Sequence, residues 1–197
     1  MSKKKVAIFI FNDVEVLDFA GPFEVFSVTS ELNNNELFEV YTVAEKLESV
    51  TARNGLSINP SYQIANCPTP NILIIPGGFG IRELMNNSVV INWIQDCSHQ
   101  AELVLSVCTG ALLLAISGLL VGLEATTHHQ VIDDLRAVAP TTQVLDNQRF
   151  VDNGQIITSA GISAGIDMCL YVVYILLGKD IAVKTAKYME YNKWEID

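Results

Sequence analysis

Short apolar runs alternate along this chain with longer segments that carry helix signals. "VAIFIF" (residues 6–11), "NILIIP" (71–76) and "LVLSV" (103–107) are nearly continuous in hydrophobic side chains. Such runs suit strands covered on both faces. "FEVYTV" (38–43) reads as a further strand. Between them, a helix is expected to start near Gly21 and Pro22, since proline is favoured in a first turn. It continues to the asparagines at 33–35. Ser88 is placed to cap a helix over "VVINWIQDCSHQ", and another runs from Thr109 to about Ser117. A short helix holds Asp133 and Asp134 and ends at Pro140. "RFVDNGQIITS" carries Asn153–Gly154, a hairpin signal. The apolar helix that follows ends at Gly178, a C-cap residue, and a polar helix runs from Asp180 to about Tyr191. The more polar residues 44–69 suggest a short hairpin excursion. This alternation predicts an α/β fold, a three-layer sandwich with a mostly parallel sheet between helices, forming one domain over residues 1–197. Ligands of such sheets bind beyond the carboxyl ends of the strands. That directs attention to residues 12–18, 76–82 and 108–110.

Composition narrows the class. The chain has 197 residues, half of them hydrophobic, and is long enough to bury a core without disulfides or metals. A net charge of -10 argues against a nucleic-acid partner, because phosphate binding needs clustered Lys and Arg. The first apolar run is short and Asp13 follows it, so a secretory signal is not expected. Residues 103–123 carry no charge and are long enough to span a bilayer. Their flanks, however, are Glu102 and Glu124 rather than Lys or Arg, and they divide into a strand and a helix. No membrane partner is expected. Cys67, Cys97, Cys108 and Cys169 form no CxxC pair and no zinc-like spacing. A cytoplasmic location with free thiols and no metal follows.

The candidate chemistry centres on "SVCTG" (106–110). A residue between small neighbours at a strand-to-helix switch has the pattern of a nucleophile elbow. The N-terminus of the next helix favours thiolate over thiol at Cys108, so Cys108 is expected to be the one cysteine that alkylates quickly near neutral pH. The competing reading is a buried, inert cysteine. "PGGFGIR" (76–82) offers backbone N–H groups, and Gly77 and Gly78 with Thr109 could form an oxyanion-type hole. Asp18 stands before a helix, either as a cap or as an acidic partner of Cys108 with a raised pKa and a proton to give. Asp13 and Glu15 read as solvated. His128 is either a helix-start polar residue or a substrate-binding group that acts as a base or orients water, and His99 a structural residue at a helix end, where a cation is favourable. Asp167, inside an apolar helix, needs a hydrogen-bond partner.

These stretches together with "DVEVLDFAGPFEVF", "ATTHH" and "ITSAGISAGIDMCL" resemble the ThiJ/PfpI superfamily, with its class I glutamine-amidotransferase-like, flavodoxin-like fold. Within it the chain is most similar to the isonitrile hydratase branch, which has Asp where Asp18 stands and Cys-Thr where Cys108 and Thr109 stand. The resemblance implies a cysteine-dependent hydratase that converts small isonitriles to N-substituted formamides. Cys108 would be the nucleophile, Asp18 its acidic partner and Thr109 a neighbour of the substrate, with backbone donors from Gly77 and Gly78. It further implies a homodimer with the site near the subunit interface, a small-molecule substrate and no cofactor. The superfamily's peptidases carry Cys-His at the elbow, where this chain has Thr109. Its glyoxalase-like branch carries Glu where this chain has Asp18. Amidase or glyoxalase-type chemistry, and a redox or small-molecule sensor without turnover, are the other functions open to this fold. Sensor halves of AraC-type regulators share the domain, but the chain ends at Asp197, where no DNA-binding helices are expected. His129 stands where relatives commonly carry Trp or Pro.

Overall fold

The computed structural model describes residues 3–191 and 194; the expected domain end at Asp197 lies outside them. In chain order the elements are β1 (Lys4–Phe9), α1 (Val16–Glu31), β2 (Phe38–Ala44), β3 (Val50–Thr51), β4 (Ser57–Ile58), β5 (Tyr62–Gln63), β6 (Ile72–Ile75), α2 (Ile81–Leu84) and α3 (Ser88–Ser98). There follow β7 (Leu103–Val107), α4 (Gly110–Ile116), β8 (Glu124–Ala125), α5 (Ile132–Val138), β9 (Gln143–Val144), β10 (Phe150–Asp152), β11 (Ile156–Ser159), α6 (Ala164–Leu177) and α7 (Lys179–Tyr188). The central sheet has seven strands in the order β10-β11-β7-β6-β1-β2-β5. All its pairs are parallel except β10 with β11. Helices α1, α6 and α7 pack together as one layer, and α2 to α5 form the other. This is the mostly parallel three-layer α/β sandwich expected from the sequence.

The strand signals worked because burial is two-sided. All five residues of β7 and all four of β6 are buried, and the one polar side chain among them is the small Ser106. The hairpin at Asn153–Gly154 forms as expected, with Gly154 at φ 84°. Residues 103–123 divide into β7 and α4, and among the described residues no helix is long and apolar enough to cross a membrane. Asp167 finds its partners in the Arg149 guanidinium and the Tyr191 hydroxyl, and His99 caps the end of α3.

Three boundaries differ from expectation. Helix α1 begins at Val16, ahead of Gly21, so Pro22 lies inside it. There Pro22 leaves the Asp18 carbonyl without an i→i−4 donor. Tertiary contacts outweigh that loss: Val14 bridges Gly78, and the Glu15 N–H donates to the Gly77 carbonyl at 2.9 Å. The early start puts Asp18 in the first turn, buried. In α3 the cap is Asn87, whose side chain accepts from the N–H groups of Val89 and Val90, and Ser88 is already helical. Residues 44–69 hold the expected small hairpin, β3 with β4, but also β5, which extends the main sheet beside β2.

Candidate active site

Six parallel strands of the sheet share one carboxyl edge, and the loops leaving β1, β6, β7 and β11 meet there. Cys108 follows β7 directly and has φ 56°. A non-glycine side chain in the left-handed region is uncommon and costs energy. The surroundings fix it: the Cys108 N–H is shared between the carbonyls of Ser159 and Ala160, both at 3.2 Å, and the Thr127 hydroxyl donates to the Cys108 carbonyl at 2.7 Å. Gly110 lets the turn close. A Cβ there would fall 2.0 Å from the Ile75 carbonyl oxygen. The elbow expected from "SVCTG" is therefore present in its backbone geometry.

Asp18 reaches the same point from the first turn of α1. It is 0% exposed. Its Oδ2 accepts from the Gly77 N–H at 3.1 Å, while Oδ1 is buried without a complete hydrogen bond. The carboxyl lies against the Cys108 thiol and the Ile162 N–H. Burial raises its pKa to about 7, against the partial offset of the Cys108 and Gly77 contacts. The rise was expected, but its main cause is desolvation rather than the neighbouring sulfur.

The expected low-pKa thiol is not what the structure holds. Burial pushes the Cys108 thiol up to about 12, and the Asp18 charge adds to the rise. The N–H groups of Thr109 and Ile162 oppose it without overcoming it. Helix α4 has only seven residues, so its dipole is small beside the desolvation of a residue 6% exposed.

The glycine loop also differs from expectation. Of the three expected amides only that of Thr109 faces the sulfur: the Gly77 N–H is taken by Asp18, and the Gly78 N–H donates to the Thr109 hydroxyl at 2.9 Å. That hydroxyl in turn contacts the Gly78 carbonyl at 3.3 Å. The loop thus locks Asp18 and Thr109 together, and the approach is close enough that a Cβ on Gly77 would sit 2.6 Å from the Thr109 nitrogen and oxygen. The donors facing sulfur are the N–H groups of Thr109 and Ile162.

Ile162 is a site residue that sequence reasoning missed. It has φ 54°, an outlier for a β-branched side chain. Nothing in "SAGISAG" announces that conformation. Cys108 opens into a pocket of about 430 Å³, bordered by Phe79, Arg53, Arg82, His128 and Glu15. Glu15 is therefore a pocket residue, 3.6 Å from Arg53, and not simply solvated. His128 lies in the wall. Its Nδ1 accepts from the Gln130 N–H at 3.3 Å, and burial followed by the neighbouring His129 lowers its pKa, so the ring is neutral at pH 7. Gly161 backs it, for a Cβ there would come 2.2 Å from the ring carbon Cδ2. His128 and Thr109 are thus brought to the Cys108–Asp18 pair; His129 stacks on His128, ring centroids 4.3 Å apart.

Fold and site together define an α/β sandwich with a cysteine on a strand-to-helix elbow and a buried carboxyl against it. Residues 4–174 match the DJ-1/PfpI family, and the chain belongs to it. It is 33% identical over 190 residues to the isonitrile hydratase of Pseudomonas putida, covering 95% of this chain and 78% of the hydratase. It is 23% identical to the HTH-type transcriptional regulator GbdR of Pseudomonas aeruginosa, over 96% of this chain and 51% of the regulator. Among solved structures, a ThiJ/PfpI family protein from Pseudomonas syringae superimposes with a TM-score of 0.87 at 29% identity, over 98% of this chain and 76% of that one. Drosophila melanogaster DJ-1beta gives 0.83 at 19% identity, over 96% and 98%, a likeness of fold.

Proposed function

We propose that this protein is a cysteine-dependent hydratase that converts small isonitriles to N-substituted formamides, working as a cytoplasmic homodimer. The observation that carries the reading is the buried Asp18 carboxyl set against the Cys108 thiol, in a chain similar to an isonitrile hydratase. Four unpaired thiols suit a reducing compartment. With the thiol protonated and Asp18 ionised above about pH 7, the pair carries one negative charge. Cys108 sulfur attacks the terminal carbon of the isonitrile while its proton passes to Asp18. Asp18 then delivers that proton to the same carbon, giving a thioimidate, RN=CH–S–Cys108. The N–H groups of Thr109 and Ile162 hold the charge that develops on sulfur. Water, oriented beside neutral His128, adds to the carbon; one of its protons goes to nitrogen. As the C–S bond breaks, the second returns to sulfur, releasing RNH–CHO and the free thiol.

The test is turnover of cyclohexyl isocyanide, followed as formamide. Wild type is expected to turn over and Cys108→Ser to lose activity entirely. Absence of product from several isonitriles, with the protein folded, would remove this reading. The similarity to transcriptional regulators favours a second one, a small-molecule sensor without turnover, of which the chain spans about half the length. A thiol raised to about 12 speaks against the redox form of that sensor, because oxidation to sulfenic acid begins from thiolate.

A further inference from the structure

The chain has four arginines, and all four border the two adjoining cavities at the carboxyl edge of the sheet. They are not alike. Arg136 and Arg149 border the cavity of about 680 Å³ on the far side of His128, and their donors are taken. Arg136 donates to Asp133 at 2.9 Å and to Asp146 at 3.0 Å, and Arg149 donates from Nε to Asp167 at 2.7 Å. Arg53 and Arg82 line the Cys108 pocket instead. Their nearest carboxylate oxygens, on Glu15 and Asp134, both lie at 3.6 Å, too far for a hydrogen bond. Each guanidinium carries five N–H donors in a planar fork, and among the described residues neither makes a side-chain hydrogen bond. Arg53 is held in place by the Phe79 ring, with its guanidinium carbon 3.8 Å from the centroid, and Phe79 itself is 59% exposed at the pocket mouth.

Open guanidinium forks facing a small pocket in a chain of charge -10 are placed for an anion. We propose that the pocket takes substrates with a carboxylate at the end remote from the reacting carbon, held by Arg53 and Arg82, with the apolar spacer against Phe79. The planar fork fits a carboxylate in two parallel bonds. Glu15 and Asp134 each offset one guanidinium at long range, which suits a monoanion over a dianionic phosphate. The proposal rests on the hydratase reading for which end of the substrate meets Cys108, but the carboxylate site can be measured without turnover.

The probes are N-formyl-β-alanine, the product that hydration of 3-isocyanopropanoate gives, and its methyl ester, titrated calorimetrically into the wild-type protein. The acid is expected to bind about tenfold or more tightly than the ester, the scale of one charge-assisted hydrogen bond. Arg53→Gln and Arg82→Gln are each expected to move that ratio toward one, and Arg53→Lys and Arg82→Lys to recover part of it. An ester that binds as well as the acid overturns the proposal. So does an acid preference that survives both glutamine variants, or an acid that fails to bind at millimolar concentration. Turnover of cyclohexyl isocyanide without acid preference removes this site and leaves the hydratase reading. Acid preference without turnover of any isonitrile does the reverse.

Discussion

Cys108 and Asp18 share a problem of charge. Burial opposes ionisation of both; the Asp18 charge further opposes that of the thiol, whereas the thiol's hydrogen bond favours the carboxylate. The first negative charge goes to Asp18, at about pH 7, while the thiol keeps its proton. Sulfur therefore becomes nucleophilic only as that proton moves to the carboxylate, which suits a reaction that needs the proton back one step later. Two outcomes follow for this pair. The kcat/KM for an isonitrile is expected to rise as pH passes through about 7, and Asp18→Asn to lose about 100-fold or more and to flatten the profile. Alkylation without substrate is expected to favour Cys67, which is half-buried, over Cys97, Cys108 and Cys169 at pH 7, because all three are buried. Peptide mass spectrometry after iodoacetamide gives the order directly. Fast labelling of Cys108 at pH 7 would mean that the free protein holds a thiolate. The sequence pointed to that outcome because a helix start is visible in "CTGALLL", whereas the depth of burial above it is not.

The elbow depends on strand β7 ending beside β6, with α4 turning back over both. Gly110 is where that turn meets the β6 backbone: a Cβ would lie 2.0 Å from the Ile75 oxygen, 2.9 Å from its carbon and 3.0 Å from the Pro76 oxygen. Backbone cannot yield there as a flexible side chain can. Gly110→Ala is expected to cost several kcal/mol, enough to prevent soluble expression or to lower Tm by about 10 °C or more. Gly118→Ala is the comparison. Gly118 has φ 76° but open space around its Cβ position, so only conformational strain of about 1 kcal/mol applies. Thermal melts that place the two variants within a degree or two of each other would mean that the elbow can shift. The elements themselves were readable where pattern and burial agree, as in β6, β7 and the Asn153–Gly154 hairpin. They were unreadable where a distant contact decides. The start of α1 is set by Gly77 and Gly78 across the sheet edge, and no local signal in "NDVEVLD" competes with the proline signal downstream.

At the level of the molecule, sheet order assembles the site. β6 and β11 flank β7, which brings the Gly77 loop and Ile162 to Cys108 from opposite sides, and β1 beside β6 delivers Asp18. Cys108, Asp18 and Thr109 could be singled out in sequence because each stands in a motif. Ile162, Arg53 and Arg82 could not: a strained φ leaves no trace in residue type, and two arginines 29 positions apart converge only through the fold. The price of the assembly is a buried carboxyl, and it has a pH signature. Asp18 has an ordinary value of 3.8 and a folded value of about 7, so between these the folded state binds a proton that the unfolded chain has lost. Its contribution to stability is thus complete below about pH 4 and is lost as pH rises through 7. The full rise corresponds to roughly 4 kcal/mol, of which roughly 2–3 kcal/mol falls between pH 5 and 8. The acidic excess acts in the same direction, since a chain at -10 repels itself more as pH rises. Stability is therefore expected to lie on the acid side of neutrality. Asp18→Asn separates the two causes, because asparagine can accept from the Gly77 N–H yet carries no charge to bury. Urea unfolding at pH 5 and pH 8 should show wild type losing about 2 kcal/mol more than Asp18→Asn over that interval. Parallel losses in the two proteins would assign the slope to overall charge and would leave the Asp18 carboxyl ionised at little cost, which is incompatible with its use as the proton carrier for Cys108.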